Sequence, residues 1–433
     1  IRRGKRWSST VSSPALPDAR VSPFSYPAWR FFIAARFLGT LGGNILAVVV
    51  GWQVYDLARL SRGVGGSAFL LGMVGLAQFL PVFLLTLVVG AIADRVDRRW
   101  LARGALALYA LLAMVMAFLT LSGSTALRQF VAVAVGLGVA RAFAGPSLSA
   151  LGPNLVPAEA LPKAIAWSSI AFQSGAIAGP AAGGILYDVS GPLPYLVAAL
   201  LFAGAVLALL AIGMVPMPRG SGARGTALVQ EGLSYVRGNP IVLGAISLDL
   251  AAVILAGATA MLPIFARDIL AVGPGGLGLM RAAPAVGAAM VALVLAFRPL
   301  GAKVGAKMFI SVGLFALFTI VFGLSTMLWL SILSLFVMGA ADMVSVYVRS
   351  SLIQLHTPDA MRGRVSAVSL LFISASNELG EFRAGTMAAL LGAVPATVLG
   401  GALALLVTIV WTRLFPALWE ADRLDVPDEL KQR

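Results

Sequence analysis

A short island of charge between two apolar stretches is the feature that most limits what this chain can fold into. Residues 67–90 and 100–121 are each long enough to cross a bilayer as an α-helix. The segment from Gly90 to Arg99 that joins them carries two Asp and three Arg residues. The sequence therefore predicts a tight cytoplasmic hairpin between two membrane spans.

The composition extends this prediction to nearly the whole chain. Of its 433 residues 59% are hydrophobic and only 12% are charged, and the mean hydropathy is +0.94, which excludes an ordinary soluble protein. The net charge of +14 would suit a nucleic-acid partner, but the basic residues fall in alternate loops, as in a membrane protein. We therefore expect no nucleic acid, two cytoplasmic termini and an even number of spans.

The apolar runs predict an all-α integral membrane protein with twelve transmembrane helices in two pseudo-symmetric six-helix bundles. The two halves echo each other, because the spacing Gly75-x5-Pro81 recurs as Gly278-x5-Pro284. The predicted organisation is a disordered basic cytoplasmic tail (1–27), a first half (28–215), a cytoplasmic linker (216–240), a second half (241–415) and a cytoplasmic tail (416–433).

The spacing Gly-x3-Asp-Arg-x2-Arg-Arg in the charged hairpin resembles the loop between helices two and three of the major facilitator superfamily of secondary transporters. It is formed by Gly90, Asp94, Arg95, Arg98 and Arg99. The resemblance implies a loop that latches one face of the transporter and releases it during the conformational cycle. The alternative is a basic anchor that only holds the loop at the anionic cytoplasmic surface.

The fifth predicted span carries a run of small residues, namely Gly175, Gly179, Pro180, Gly183 and Gly184. Small residues four apart form a flat face for close helix contact, and Pro180 removes a backbone hydrogen bond. The run resembles the motif of major facilitator antiporters that export their substrate, although Ala166 stands where the full motif has another Gly. A generic packing face is the alternative interpretation.

Eight charged residues lie inside predicted spans, where charge is expensive and usually functional. The cations are Arg36, Arg141, Arg281 and Arg383, and the anions are Asp249, Asp342, Glu378 and Glu381. Arg383 is expected to find a partner on another helix, whereas Arg349 is expected among the basic residues of the cytoplasmic loops. Arg141 resembles the intramembrane Arg that this superfamily links to proton transfer. We expect Arg141 and at least one of the four acids to take part in proton coupling. The alternative is that each acid is permanently paired and only stabilises the bundle.

Polar residues of the first-half spans that could line a substrate cavity at the midplane include Asn44, Gln78 and Gln173, each of which could equally bond a neighbouring helix. His356, the single histidine, is expected to be a solvated loop residue. We find no nucleotide-binding loop, zinc-ligand spacing or nucleophile–base pair. The sequence therefore predicts no catalytic residue, no metal and no cofactor, and the protein is not expected to be an enzyme.

The segment at the end of the first span, residues 52–57, resembles the superfamily branch that contains the enterobactin exporter and macrolide-efflux proteins. The function implied is export of a small amphipathic molecule by alternating access, in exchange for protons, by a monomer in the bacterial inner membrane. The cargo is left open between a siderophore, an antibiotic and another metabolite. An importer or uniporter of the same fold is the alternative, followed by a non-transporting polytopic protein.

Overall fold

The computed structural model describes residues 22–93, 96–213, 225–298 and 300–422, and this part of the chain is helical without a strand. Its α-helices are α1 (Pro27–Ala93), α2 (Arg98–Leu121), α3 (Leu127–Leu151), α4 (Leu161–Val189), α5 (Leu193–Leu210), α6 (Gly225–Gly238), α7 (Pro240–Ala256), α8 (Leu262–Ile264), α9 (Gly273–Phe297), α10 (Val304–Leu324), α11 (Leu328–Leu355), α12 (Asp359–Leu391), α13 (Ala393–Leu414) and α14 (Pro416–Trp419). Short 3₁₀ turns and one π-helix, Phe265–Ile269, join some of them. The all-α membrane architecture is therefore confirmed.

The first helix is broken at Gly63, where φ is 65° and ψ is −172°. Only glycine adopts such a backbone without strain, so the break divides α1 into two spans, α1a (27–62) and α1b (64–93). A continuous helix of this length would extend about 100 Å, roughly three times the hydrocarbon thickness.

Nine helices in the described part of the chain are long and apolar enough to cross a membrane, and α1 counts as one of them. The helices α4 and α12 fall outside this set, since α4 is rich in Gly, Ala and Ser and α12 carries several charged residues. The count of twelve spans stays a prediction, as do the predicted domain boundaries.

Two kinds of apolar core hold the bundle together. One cluster draws its buried residues from positions 29–212 alone and includes Trp29, Phe130 and Phe202. Another joins positions 48–71 to positions 258–396, with Tyr55 and Phe265 among its buried members. The first cluster stabilises the first half internally, while the second stabilises the contact between the halves.

The two halves approach most closely where glycines from both sides face each other. A Cβ built on Gly385 of α12 would lie 2.8 Å from the Cα of Gly72 in α1b. A Cβ built on Gly184 of α4 would lie 3.1 Å from the Cα of Gly278 in α9. Both contacts need glycine, because any side chain would push the helices apart.

Candidate functional site

A cavity of about 570 Å³ lies between the two halves. Helices α1, α2, α3, α4 and α5 form the first-half wall, and α9, α12 and the segment around Pro263 form the other. Along α1a it extends from Arg36 to Gly51, about 22 Å at helical rise. This volume falls within the range of pockets that hold drug-sized ligands.

Five charged side chains line this cavity: Arg36, Arg141, Arg281, Glu378 and Glu381. Arg141 and Glu378 form an ion pair between α3 and α12, with Nη1 3.0 Å from Oε1. The pair therefore joins the two halves across the cavity. The Arg141 side chain is 59% exposed and that of Glu378 is 12% exposed, so the cation stays accessible to water or ligand.

Glu381 lies one turn along α12 from Glu378 and faces the same cavity. Its Oε1 accepts a hydrogen bond from Thr259 Oγ1 at 3.5 Å. Its carboxylate also lies close to the glycine backbone of Gly75 in α1b. Glu378 and Glu381 therefore place two carboxylates at the contact between the halves.

The acids Asp249 and Asp342 are not among the residues that line the cavity. Asp249 forms an ion pair with Arg349, and both side chains are less than 10% exposed. This pair joins α7 to α11 within the second half. Asp342 is half-buried in α11, and its carboxylate has no hydrogen-bond or ion-pair partner within the described ranges. The four candidate acids thus divide into a cavity pair and two others.

The structure also tests the predicted settings of two further cations, Arg349 and Arg383. Arg349 was predicted in a cytoplasmic loop, but that prediction is wrong, since it is 4% exposed inside α11. Arg383, expected to find a partner on another helix, donates from Nε to the carbonyl of Ile254 at 2.7 Å and from Nη2 to that of Leu255 at 2.5 Å. It thereby satisfies two of the carbonyls that the end of α7 leaves unpaired.

Of the predicted cavity polar residues, Asn44 and Gln78 line the cavity. The side-chain amide of Asn44 donates to the carbonyl of Thr40 at 2.9 Å, which leaves its oxygen free to accept. Gln173 is absent from the cavity lining and instead donates to the carbonyl of Ala285 in α9 at 3.2 Å. It joins α4 to α9, which is the alternative role that the sequence left open.

The small-residue run of α4 serves two neighbours. Gly175, Gly179 and Gly183 face α1a, where an added Cβ would approach residues 40–45 within about 3 Å. Gly184 and the carbonyl of Pro180 face Gly278 of α9. The run therefore packs within the first half on one side and against the second half on the other, which no spacing argument distinguishes.

In the charged hairpin, Asp94 and Arg95 lie outside the described residues, and Gly90 belongs to the end of α1. Asp97 is the N-cap of α2, where its Oδ1 accepts from the backbone N–H of Arg99 at 2.9 Å. Hydrogen bonds from the Arg99 guanidinium to the same carboxylate hold the pKa of Asp97 below its ordinary value.

The cations of this hairpin bind backbone carbonyls. Arg98 donates to Ala150 at 3.4 Å, and Arg99 donates to Gly213. Arg103 donates to Leu209 at 2.8 Å. These contacts tie the start of α2 to the ends of α3 and α5. The sequence analysis missed Asp97, although an acidic residue directly before a helix is a known capping signal.

A second set of charges, which the sequence analysis did not identify as functional, joins the halves at the opposite end. We call Tyr55, Asp56, Arg59, Arg267 and Asp268 the outer ion-pair cluster. Asp268 accepts from the Tyr55 hydroxyl and pairs with Arg59 at 3.2 Å, while Arg267 pairs with Asp56 at 2.8 Å. A signal was available, since Asp56 lies one helical turn before Arg59 and Asp268 directly follows Arg267 in loops otherwise poor in charge.

The helix α6 of the predicted linker lies against the second half. Glu231 pairs with Arg364 of α12, and the Tyr235 hydroxyl donates to the carbonyl of His356. His356 itself is half-buried at the end of α11, and this burial lowers its pKa despite the contact of Nδ1 with the Leu352 carbonyl at 3.0 Å. His356 thus lies in the turn after α11, as expected of a loop residue, and its side chain is only partly solvated.

Comparison with known proteins gives three findings. Residues 18–430 match the family model described as transmembrane secretion effector. The chain is 27% identical over 354 residues to the enterobactin exporter EntS of Shigella boydii serotype 18, covering 79% of this chain and 81% of that protein. The third finding concerns solved structures.

The nucleoside transporter NupG matches with a TM-score of 0.66 at 14% identity, over 89% of this chain and 99% of that one. A bacterial homologue of the lysosomal transporter Spinster, in an inward-facing and unoccupied conformation, matches with a TM-score of 0.67 at 15% identity, over 93% and 97%. At these identities the two structures demonstrate a shared fold alone.

Proposed function

Because the chain belongs to the transmembrane secretion effector family of the major facilitator superfamily, we propose that it exports a small amphipathic molecule in exchange for protons. It is a multi-pass membrane transporter of small molecules and not an enzyme. The proposal adds the direction of transport, the coupling ion and the mechanism of alternating access. We further propose a monomer in a bacterial inner membrane with both termini in the cytoplasm.

The location of the contacts between the halves supports alternating access. The outer ion-pair cluster and the glycine contact of Gly72 with Gly385 join the halves at the end predicted to face away from the cytoplasm. The cavity walls remain accessible below them, since Arg141 is 59% and Phe172 is 48% exposed. We interpret this arrangement as the conformation that receives cargo from the cytoplasm.

The observation that carries the proposal is the ion pair of Arg141 with Glu378 across the cavity. Protonation of Glu378 removes its charge and weakens the bond between the halves, which links proton binding to their separation. An acid with a single flexible partner can exchange protons with water in the cavity. The Asp249–Arg349 pair lacks this access, so we assign it a structural role.

Export is supported by two likenesses and one geometric fact. The EntS relative is named as an enterobactin exporter. The small residues of α4 match the antiporter-like spacing, and two of them, Pro180 and Gly184, lie at the contact with α9 that must loosen if the outer end opens. Cargo of the siderophore or drug class is consistent with a cavity of about 570 Å³.

The test is proton movement in everted membrane vesicles with an acid interior, measured with a pH-sensitive dye. The panel contains amphipathic drugs and catecholate siderophores. We expect one compound class to release the proton gradient and to accumulate inside. Glu378→Gln is expected to lower that release about tenfold or more, and Glu381→Gln less, while the exposed Glu159→Gln serves as the control.

The remaining outcomes separate the alternatives. Accumulation that persists in Glu378→Gln and without a gradient would identify a uniporter. Compound movement in the reverse direction would identify an importer. Gradient release that is identical in all three variants would contradict proton coupling through Glu378.

A further inference from the structure

The cavity holds more cationic groups than anionic ones. Three guanidinium groups face two carboxylates, and only Arg141 is paired with an acid. Arg36 and Arg281 have no carboxylate within ion-pair distance in the described part of the chain. Unpaired guanidinium groups are costly at membrane depth and usually mark a ligand or ion pathway.

Arg36 is the more informative of the two cations. It lies nine residues into α1a, about 14 Å from the start of the helix. Its Nε is buried and has no hydrogen-bond partner among the described residues. A buried donor without an acceptor is destabilising, and an acceptor brought by a ligand would relieve that cost.

An aromatic ring lies beside this cation. The Arg36 guanidinium carbon lies 5.7 Å from the ring centroid of Phe172 in α4, within cation–π distance. Tyr109 lines the same first-half wall, and its ring stacks on the buried Phe202, with centroids 4.8 Å apart and ring planes inclined by 9°. The wall therefore presents one cation together with the aromatic side chains of Phe172 and Tyr109.

Space for a ligand lies next to this wall. A Cβ built on Gly43 of α1a or on Gly145 of α3 would meet no atom within 4 Å, although both residues line the cavity. The open space continues from Arg36 towards the Arg141–Glu378 pair. A ligand could therefore contact the cation and the proton-coupling pair together.

We infer that Arg36 and Phe172 form an anion subsite, and that the cargo is an amphipathic organic anion. Its acidic oxygens would accept from the Arg36 guanidinium, and its apolar or aromatic body would lie against Phe172 and Tyr109. This inference rests on the proposed function and specifies the chemical class of its cargo.

A lipid phosphate could supply the same acidic oxygens to Arg36, so the experiment must distinguish the two sources. Purified protein in nanodiscs is titrated with two fluorescent probes that share one aromatic framework. The first is 8-anilinonaphthalene-1-sulfonate, an anion, and the second is N-phenyl-1-naphthylamine, its uncharged analogue. Empty nanodiscs provide the background.

We expect Arg36→Gln to weaken binding of the sulfonate about tenfold, the equivalent of one lost charge-assisted contact, and to leave the uncharged probe unchanged. Arg36→Lys keeps the charge without the planar fork and is expected to fall between the two. Arg30→Gln, an exposed cation on the same helix, is the matched control and is expected to bind both probes as the wild type does.

Equal weakening for both probes, or none for either, would overturn the inference. The titration is repeated in neutral phosphatidylcholine discs and in discs with phosphatidylglycerol. If the difference between wild type and Arg36→Gln disappears in the anionic discs, a lipid phosphate occupies Arg36 and the cargo assignment fails. Because binding is measured without a proton gradient, this result stands or falls separately from the vesicle assay of Glu378.

Discussion

Two ion pairs of the same chemistry occupy opposite settings in this protein. Asp249 and Arg349 pair inside the second half, with exposed side-chain fractions of 8% and 5%. Glu378 and Arg141 pair between the halves, with fractions of 12% and 59%. A pair inside one packed bundle must survive every conformation, whereas a pair between bundles breaks whenever they separate.

The difference shows that burial, and not charge alone, separates a structural acid from a candidate for coupling. Removing one partner of a fully buried pair leaves an uncompensated charge in low dielectric. Removing one partner of a pair beside a cavity leaves a charge that water can solvate. The following predictions test this distinction, and the expected effects decrease from one to the next.

Asp249→Ala is expected to destabilise the protein by about 3–5 kcal/mol, because Arg349 remains buried without its counter-ion. The measurement is thermal or denaturant unfolding of the purified protein in detergent. Replacing both residues, Asp249→Ala with Arg349→Met, is expected to recover most of that loss. A stable single variant would mean that Arg349 finds another partner and that the pair is not structural.

Reversal of the cavity pair is expected to act on transport. Glu378→Arg alone brings two cations together and is expected to lower transport more than about tenfold, with a change in stability below about 1 kcal/mol. Adding Arg141→Glu is expected to recover part of the transport, measured as cargo accumulation in everted vesicles. Exchanging Asp249 and Arg349 in the same way is expected to recover no transport. Equal recovery of transport in both exchanges would show that the two ion pairs do not differ in role.

Substitutions that fill the open space of the cavity test the role of the cavity without changing its charge. A Cβ on Gly43 or Gly145 meets no atom within 4 Å, so Gly43→Leu and Gly145→Leu are expected to fold while lowering cargo accumulation about tenfold, the equivalent of about 1.4 kcal/mol of binding. Gly104→Leu also meets no atom but lies outside the cavity lining, and serves as the control. Normal transport in both filled variants would show that the cargo uses another route.

The outer ion-pair cluster is a third setting for ion pairs, and its side chains are more exposed to water than those of the Asp249–Arg349 pair. Asp268→Asn is expected to cost less than about 1 kcal/mol, which shifts the conformational equilibrium by up to about fivefold. The chain has no Cys, so Ala47→Cys in the cavity can report access to an impermeant maleimide added from outside. Labelling is expected to rise several-fold in the Asp268→Asn background. Unchanged labelling would remove the cluster from the control of access.

Asp97 provides the smallest effect, in an ion pair outside the membrane. Its lowered pKa means that its charge stabilises the fold above the ordinary Asp pKa of about 3.9 and loses this contribution as pH falls through the lower folded value. Asp97→Asn keeps the cap and removes the charge. We expect a cost of about 0.5 kcal/mol at pH 7 that disappears towards pH 3, measured by unfolding at both pH values. If the stability cost of Asp97→Asn does not depend on pH, the effect comes from the shape of the side chain and not from its charge.

The sequence predicts the helical membrane architecture well, because lipid leaves the backbone few alternatives to a helix. Two of the three residues proposed for a midplane cavity, Asn44 and Gln78, line the cavity between the halves. Their periodicity and depth are local properties, which the sequence carries directly.

The errors concern properties that depend on distant partners. The sequence pattern assigns Arg349 to a loop because this residue lies near the predicted end of a span. Only its contact with Asp249, a hundred positions earlier, shows that it belongs to the core. For Gln173 the sequence left two roles open, and the choice between them depends on which neighbour its helix face meets. No single-sequence pattern specifies such pairings between helices.

The outer ion-pair cluster is expected to make the conformation of the protein sensitive to the salt concentration outside the cell. Interactions between partly exposed charges weaken as salt rises, since the Debye length falls from about 30 Å at 0.01 M to about 8 Å at 0.15 M. Dilute surroundings would hold the two halves together at this end, and a salt-rich medium would loosen them. The resting conformation of the protein would then follow external salinity before any cargo binds.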